Sequence, residues 1–140
     1  MGFSKLFAKD FPTQYLQKLR SLYVDKTFTD VMLVSDDQKQ FFAHRVILAS
    51  VSAVFRNILQ GLSNVQFPVI YCKDVKGEDL DCLLAFIYNG ELKSEQNYTT
   101  VLQLLKDFKL DEVFDINEES RPDNVTPKHE IKTLFKYELV

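Results

Sequence analysis

Between Phe28 and Leu59 the hydrophobic period changes within one short stretch, FTDVMLVSDDQKQFFAHRVILASVSAVFRNIL. Val31 to Val34 form a nearly continuous apolar run, as expected of a strand buried on both faces. Ser35 to Lys39 carry turn chemistry, because Ser and Asp side chains bond the local backbone and nothing apolar resists exposure. Gln40 to Ala43 return as a second strand. From His44 the spacing is helical, through Val46, Ile47, Leu48, Val51, Val54, Phe55 and Ile58. Ser50 and Ser52 interrupt it, and both are good caps, which predicts two short helices instead of one long one. A hairpin feeding a helical hairpin excludes an all-helical bundle and an all-β sandwich.

The flanking segments fit the same plan. Phe3 to Ala8 alternate as a short strand, which needs a partner sheet to persist. Asp10 is a candidate N-cap, Pro12 suits a first turn, and Tyr15, Leu16, Leu19, Leu22 and Tyr23 follow at helical spacing to Val24. Gln60 to Phe67 read as a loop, and Pro68 opens a third strand, Val69 to Cys72. Gly77 to Tyr88 is helical, with Glu78 and Asp79 in its first turn and Asn89-Gly90 as its stop. Glu91 to Lys93 read as a short edge strand, Tyr98 to Phe108 as an amphipathic helix and Asp111 to Phe114 as one further turn. From Ile116 the chain is polar and has two prolines, as a linker would. Ile131, Leu134, Phe135 and Leu139 then regain a helical spacing, the stub of a longer tail or an extra docked helix.

Composition narrows the function. The net charge of −3 gives no electrostatic footprint for nucleic acid or anionic membrane. The only cysteines, Cys72 and Cys82, sit among apolar neighbours and read as buried inert thiols in a reducing compartment. With His44 and His129 the only histidines, no zinc-finger spacing exists and no metal or cofactor is expected. No nucleophile elbow or Gly-rich phosphate loop occurs, so an enzyme is not expected. No apolar run reaches membrane-spanning length. Twelve Phe and six Tyr are a heavy aromatic load for 140 residues, part of which suits an interface.

The residues Asp30, Val31, Phe41, Ala43, His44, Arg45, Val46, Leu48, Ala49, Ser52 and Phe55, in this order, resemble the signature of the BTB/POZ domain. Phe86 to Leu92, FIYNGEL, resembles the end of that family's fourth helix, so the likeness covers about residues 3–115. It implies an α+β fold, a small sheet capped by short helical hairpins, over residues 1–115, with 116–140 a polar linker or tail. It implies self-association, a homodimer or higher oligomer, centred on Phe3, Leu6, Phe7, Phe11, Tyr15, Leu16, Leu19 and Tyr23. The strand at Phe3 to Ala8 would add to a partner's sheet while the first helices pack across a two-fold axis.

Asp74 to Glu91 is most similar to the tramtrack group of BTB zinc-finger regulators, whose N-terminal strand typically has Leu-Arg-Trp where this chain has Lys5-Leu6-Phe7. That likeness implies a nuclear regulator of transcription or chromatin, with the cytoplasm a second location. Its partners would be itself, other BTB proteins or transcriptional cofactors, without direct contact to nucleic acid. Asp30 and Arg45 fall where such domains line a charged pocket; the alternative is an ion pair that fixes strand to helix. His44 is expected to be structural, bonding a backbone group at the strand–helix junction. The competing function is substrate adaptor of a cullin-type ubiquitin ligase. Such adaptors carry a hydrophobic-x-acid motif after the third helix, and Gln60 to Tyr71 contain no acid. A free-standing domain that blocks other BTB partners is the third possibility.

Overall fold

The computed structural model describes residues 2, 4–92, 97–117 and the backbone of 137–139. In chain order the elements are α1 (Phe11–Val24), β1 (Val31–Ser35), β2 (Gln40–Ala43), α2 (Arg45–Val51), α3 (Ala53–Gly61), β3 (Val69–Cys72), α4 (Gly77–Asn89), α5 (Tyr98–Asp107), a 3-10 turn (Leu110–Glu112) and β4 (Tyr137–Leu139). The sheet order is β2-β1-β3-β4. β1 pairs antiparallel with β2, Leu33 opposite Phe41, and parallel with β3, Leu33 opposite Ile70. The fold is α+β, as the signature implies.

β1 departs from the expectation in one respect. Val31, Leu33 and Ser35 are fully buried, while Met32 and Val34 are only half-buried, so the strand has one core face. Beneath that face lie Leu48 and Phe55 of the helical hairpin, Leu80, Leu83 and Leu84 of α4, and Val101 of α5, all at 0% exposure. Phe55 stacks on Phe108 with ring centroids 4.6 Å apart, which closes the core between α3 and the end of α5.

The break between α2 and α3 has a single physical cause. Ser52, buried and extended, accepts the Phe55 N–H at 3.1 Å and donates to the Phe108 carbonyl at 2.6 Å. One hydroxyl therefore caps α3 and anchors α5 across 56 residues of sequence. Ser50 takes no such role; its hydroxyl returns to the Ile47 carbonyl. Gly90 ends α4 at φ +78, and its N–H reaches the Phe86 carbonyl at 2.7 Å. Only glycine enters that conformation without steric cost.

Other terminal expectations need correction. Asp10 occupies the N-cap position of α1 in a left-handed conformation, and its side chain makes no capping bond; its carbonyl accepts the Gln14 N–H instead. Residues 4–8 form no strand, and no ladder among the described residues reaches them. Glu91 and Leu92 are not in a strand, and Lys93 lies outside the described residues. Leu139, which the spacing put on a helix, lies in β4 opposite Ile70; Ile131, Leu134 and Phe135 lie outside the described residues. A spacing of three and four says nothing about a sheet edge far away in sequence that is ready to accept a strand.

Cys72 faces the core from β3, and burial pushes its thiol up to about 12 from an ordinary 9.0. The native thiol keeps its proton where the unfolded one loses it, so stability falls as pH rises between 9 and 12. The full rise corresponds to roughly 4 kcal/mol, of which about 2–3 kcal/mol is lost by pH 11. Urea unfolding at pH 8 and pH 11 is expected to show this loss shrink by about that amount in Cys72→Val. An equal loss in both proteins would mean the thiol does not sense burial.

Candidate functional site

α1 is amphipathic in sequence, yet no residue in it is buried. Phe11 is 54% exposed, Tyr15 54% and Leu16 57%, and ahead of them Leu6 and Phe7 are 100% and 76% exposed. Leu19 and Tyr23 are half-buried, and Phe3 lies outside the described residues. The helix is held at one end. Tyr23 stacks on Tyr88 of α4, centroids 4.2 Å apart, and burial raises its hydroxyl up to about 12, helped by the charge of Asp81. The remaining apolar row, preceded in the chain by the exposed Leu6 and Phe7, is covered by none of the described residues.

A buried network fixes that helix to the sheet. His44, the residue before α2, is 6% exposed. Its backbone N–H donates to the Tyr88 hydroxyl at 3.1 Å, and its Nδ1 meets the same oxygen at 2.7 Å. Its Nε2 lies 2.8 Å from the Thr27 carbonyl, which can only accept, so the proton sits on Nε2 and Nδ1 accepts from Tyr88. Thr27 belongs to the connection between α1 and β1, so the ring ties the exit of α1 to the start of α2. Burial raises the Tyr88 hydroxyl well above its usual range. Nothing in the local sequence pointed to Tyr88 as the partner, because 44 residues separate the two.

Asp30 and Arg45 do come together, around backbone more than around each other. Asp30 Oδ1 accepts the Arg45 N–H at 2.7 Å and so caps α2, a task the His44 side chain leaves undone. Arg45 Nε donates to the Asp30 carbonyl at 2.9 Å, and an Nη donates to the Gln66 carbonyl. The charge-to-charge distance, Nε to Oδ2, is 3.7 Å, with the Asp30 side chain 48% exposed and that of Arg45 22%. The arginine clamps the start of β1 to the loop before β3. Because the carboxylate is half in water, the penalty for a stranded buried charge does not apply. Asp30→Asn, which keeps an acceptor for the cap, is expected to cost under about 1 kcal/mol in urea unfolding, Asp30→Ala about 1–2 kcal/mol, and Arg45→Gln, which loses the bonds to the Asp30 and Gln66 carbonyls, about 1–3 kcal/mol. A loss of several kcal/mol in Asp30→Asn would instead show a charge pair that carries the stability.

A second carboxylate was not singled out from the sequence. Asp37, in the hairpin turn, accepts from the Ser35 hydroxyl at 2.5 Å and from the Gly77 N–H at 2.8 Å. The Ser35 bond, foremost, holds its carboxyl below the usual range. It pins the hairpin to the first residue of α4.

Beside β2 lies a shallow open groove of about 220 Å³, lined by Tyr23, Val24, Lys26, Gln40, Phe41, Phe42 and Asp81. It is smaller than pockets that enclose a small molecule. Among the described residues no three His, Cys, Asp or Glu side chains come together as a metal site. No described helix is long and apolar enough to cross a membrane.

A small mixed sheet on short helices, with an apolar helix face exposed among the described residues, suits a protein–protein interaction domain. The BTB/POZ domain family model matches residues 16–124. The chain belongs to that family. It is 36% identical to protein abrupt of Drosophila melanogaster over 59% of this chain, and 28% identical to the alpha isoform of tramtrack from the same fly over 67%. It is also 28% identical to human Kelch repeat and BTB domain-containing protein 2 over 68% of its length. The matched parts are 9%, 11% and 15% of those proteins, so the chain spans a small fraction of their length. The BTB domain of zebrafish PATZ1 has the same fold, with a TM-score of 0.66 at 17% identity over 81% of this chain and 92% of that one.

Proposed function

We propose that this chain is the self-association domain of a nuclear regulator of transcription or chromatin. The observation that carries the reading is the apolar row Phe11, Tyr15 and Leu16 on a helix with no buried residue. Water-exposed aromatic and leucine side chains in one row gain roughly 25 cal/mol per Å² of apolar surface when a second copy covers them. A two-fold axis lets the same row cover itself. The strand expected at Phe3 to Ala8 finds no partner over residues 4–8 among the described residues, and a second copy's sheet would supply one. The likeness of Asp74 to Glu91 to the tramtrack group, and of the whole domain to tramtrack and abrupt, supports the regulator setting. A net charge of −3 leaves contact with nucleic acid to other parts of such a protein. In this reading the half-exposed carboxylate of Asp30, with Arg45 beside it, faces a transcriptional cofactor next to the dimer. Other BTB proteins are further partners through the same helix.

Light scattering at micromolar concentration, with and without residues 1–9, tests the association. Twice the monomer mass for the intact chain and a lower mass for the shortened one are expected. A stable monomer for the intact chain would sink the reading. The likeness to the Kelch-repeat protein favours the adaptor reading, whereas Gln60 to Tyr71 offer a cullin no acidic contact. A pull-down with a purified cullin discriminates the two, and no retention is expected.

A further inference from the structure

We propose that the outer edge of β3 is a strand-accepting site, and that Tyr137–Leu139 is its ligand, held by the same chain. The geometry starts from the ladder on the inner side. The Met32 N–H donates to the Pro68 carbonyl at 3.0 Å, and Met32 is in register with Val69. In a parallel ladder, alternate residues bond to one neighbour, so Pro68, Ile70 and Cys72 turn their backbone groups to β1. Val69 and Tyr71 then turn theirs away. An edge of this kind is a template for another strand. The run Val69-Ile70-Tyr71-Cys72 has none of the usual protections, neither an internal proline nor a lysine nor a bulge. What lies against it is β4, antiparallel, with Tyr71 opposite Glu138, Ile70 opposite Leu139 and Cys72 opposite Tyr137.

Three residues make a short ladder, and backbone bonds carry it. Such a ladder is weak between separate molecules and is sustained by tethering. The roughly 20 residues between Asn117 and Tyr137 keep the segment near the edge at an effective concentration on the order of 1 mM. A free segment of the same sequence at micromolar concentration therefore loses the competition. The edge stays closed until the tethered strand is disabled. The site is separate from the α1 face, and its test does not depend on dimerisation.

The experiment uses the whole chain with Glu138→Pro, which removes the N–H facing Tyr71 and leaves β1, β2 and β3 untouched. Amide exchange of Tyr71 is expected to accelerate at least tenfold, while Leu33, whose backbone turns to β2, and Ile70, whose backbone turns to β1, keep their protection. Glu138→Ala, which retains the N–H, is expected to match the wild type. A fluorescent peptide of residues 131–140 is expected to bind the proline variant at least tenfold more tightly than the wild type. Unchanged Tyr71 exchange in the proline variant, or equal peptide binding to both chains, would overturn the proposal. Leu139→Pro is the second variant. Loss of Leu33 protection in both would make the segment an integral part of the fold, not a ligand of its edge, and would overturn it as well.

Discussion

Replacing Tyr88 by Phe is expected to cost about 2–4 kcal/mol, although it deletes one atom from a ring that otherwise stays in place. The hydroxyl accepts the His44 N–H and donates to Nδ1, and both groups are buried. Removing it leaves two polar groups without partners, at about 1–3 kcal/mol each. The ring itself, and so the stack on Tyr23, survives in the variant. Urea unfolding at pH 7 reads the loss, and a value under about 1 kcal/mol would mean that the two groups find other partners. The effect should reach function. The same histidine holds the Thr27 carbonyl at 2.8 Å, which fixes where the chain passes from α1 to β1. A double-mutant cycle with His44→Leu is expected to fall short of additivity, because both changes break one network.

The second large effect is expected at Leu16. This side chain is 57% exposed on a helix with nothing buried, so Leu16→Asp should change the stability of the isolated fold by under about 0.5 kcal/mol. In a two-fold interface the same substitution places two carboxylates in an apolar seam. Each desolvated charge costs several kcal/mol, so dimer affinity should fall by at least roughly a thousandfold. Light scattering from 1 to 100 µM in order-of-magnitude steps should give the monomer mass throughout. A mass equal to that of the unsubstituted chain would place the interface elsewhere.

The two experiments separate contributions that the sequence merges. Tyr15, Leu16, Leu19 and Tyr23 belong to one apolar periodicity, yet Tyr23 is half-buried against α4 while Tyr15 and Leu16 meet water. Periodicity reports which side chains share a face. It does not report whether the chain itself or a second molecule covers that face.

Local chemistry determined a good deal of this protein. Turn residues at Ser35 to Lys39, the cap at Ser52, the stop at Gly90 and the change of period after Ala43 placed the hairpin, the broken helix and the end of α4. These signals act within a few residues, so they are legible without a fold. Family resemblance added the α+β class, which the sheet and its helices bear out. Tertiary structure decided the rest, because the deciding contacts span long stretches of chain. His44 meets Tyr88, Ser52 meets the Phe108 carbonyl, Asp37 meets Gly77, and β3 meets β4. Asp30 and Arg45 show the division within one pair. Their proximity follows from the hairpin between them, but their degree of burial, and with it the energy of the pair, depends on how Gln66 and the loop before β3 close over the arginine and leave the carboxylate half in water.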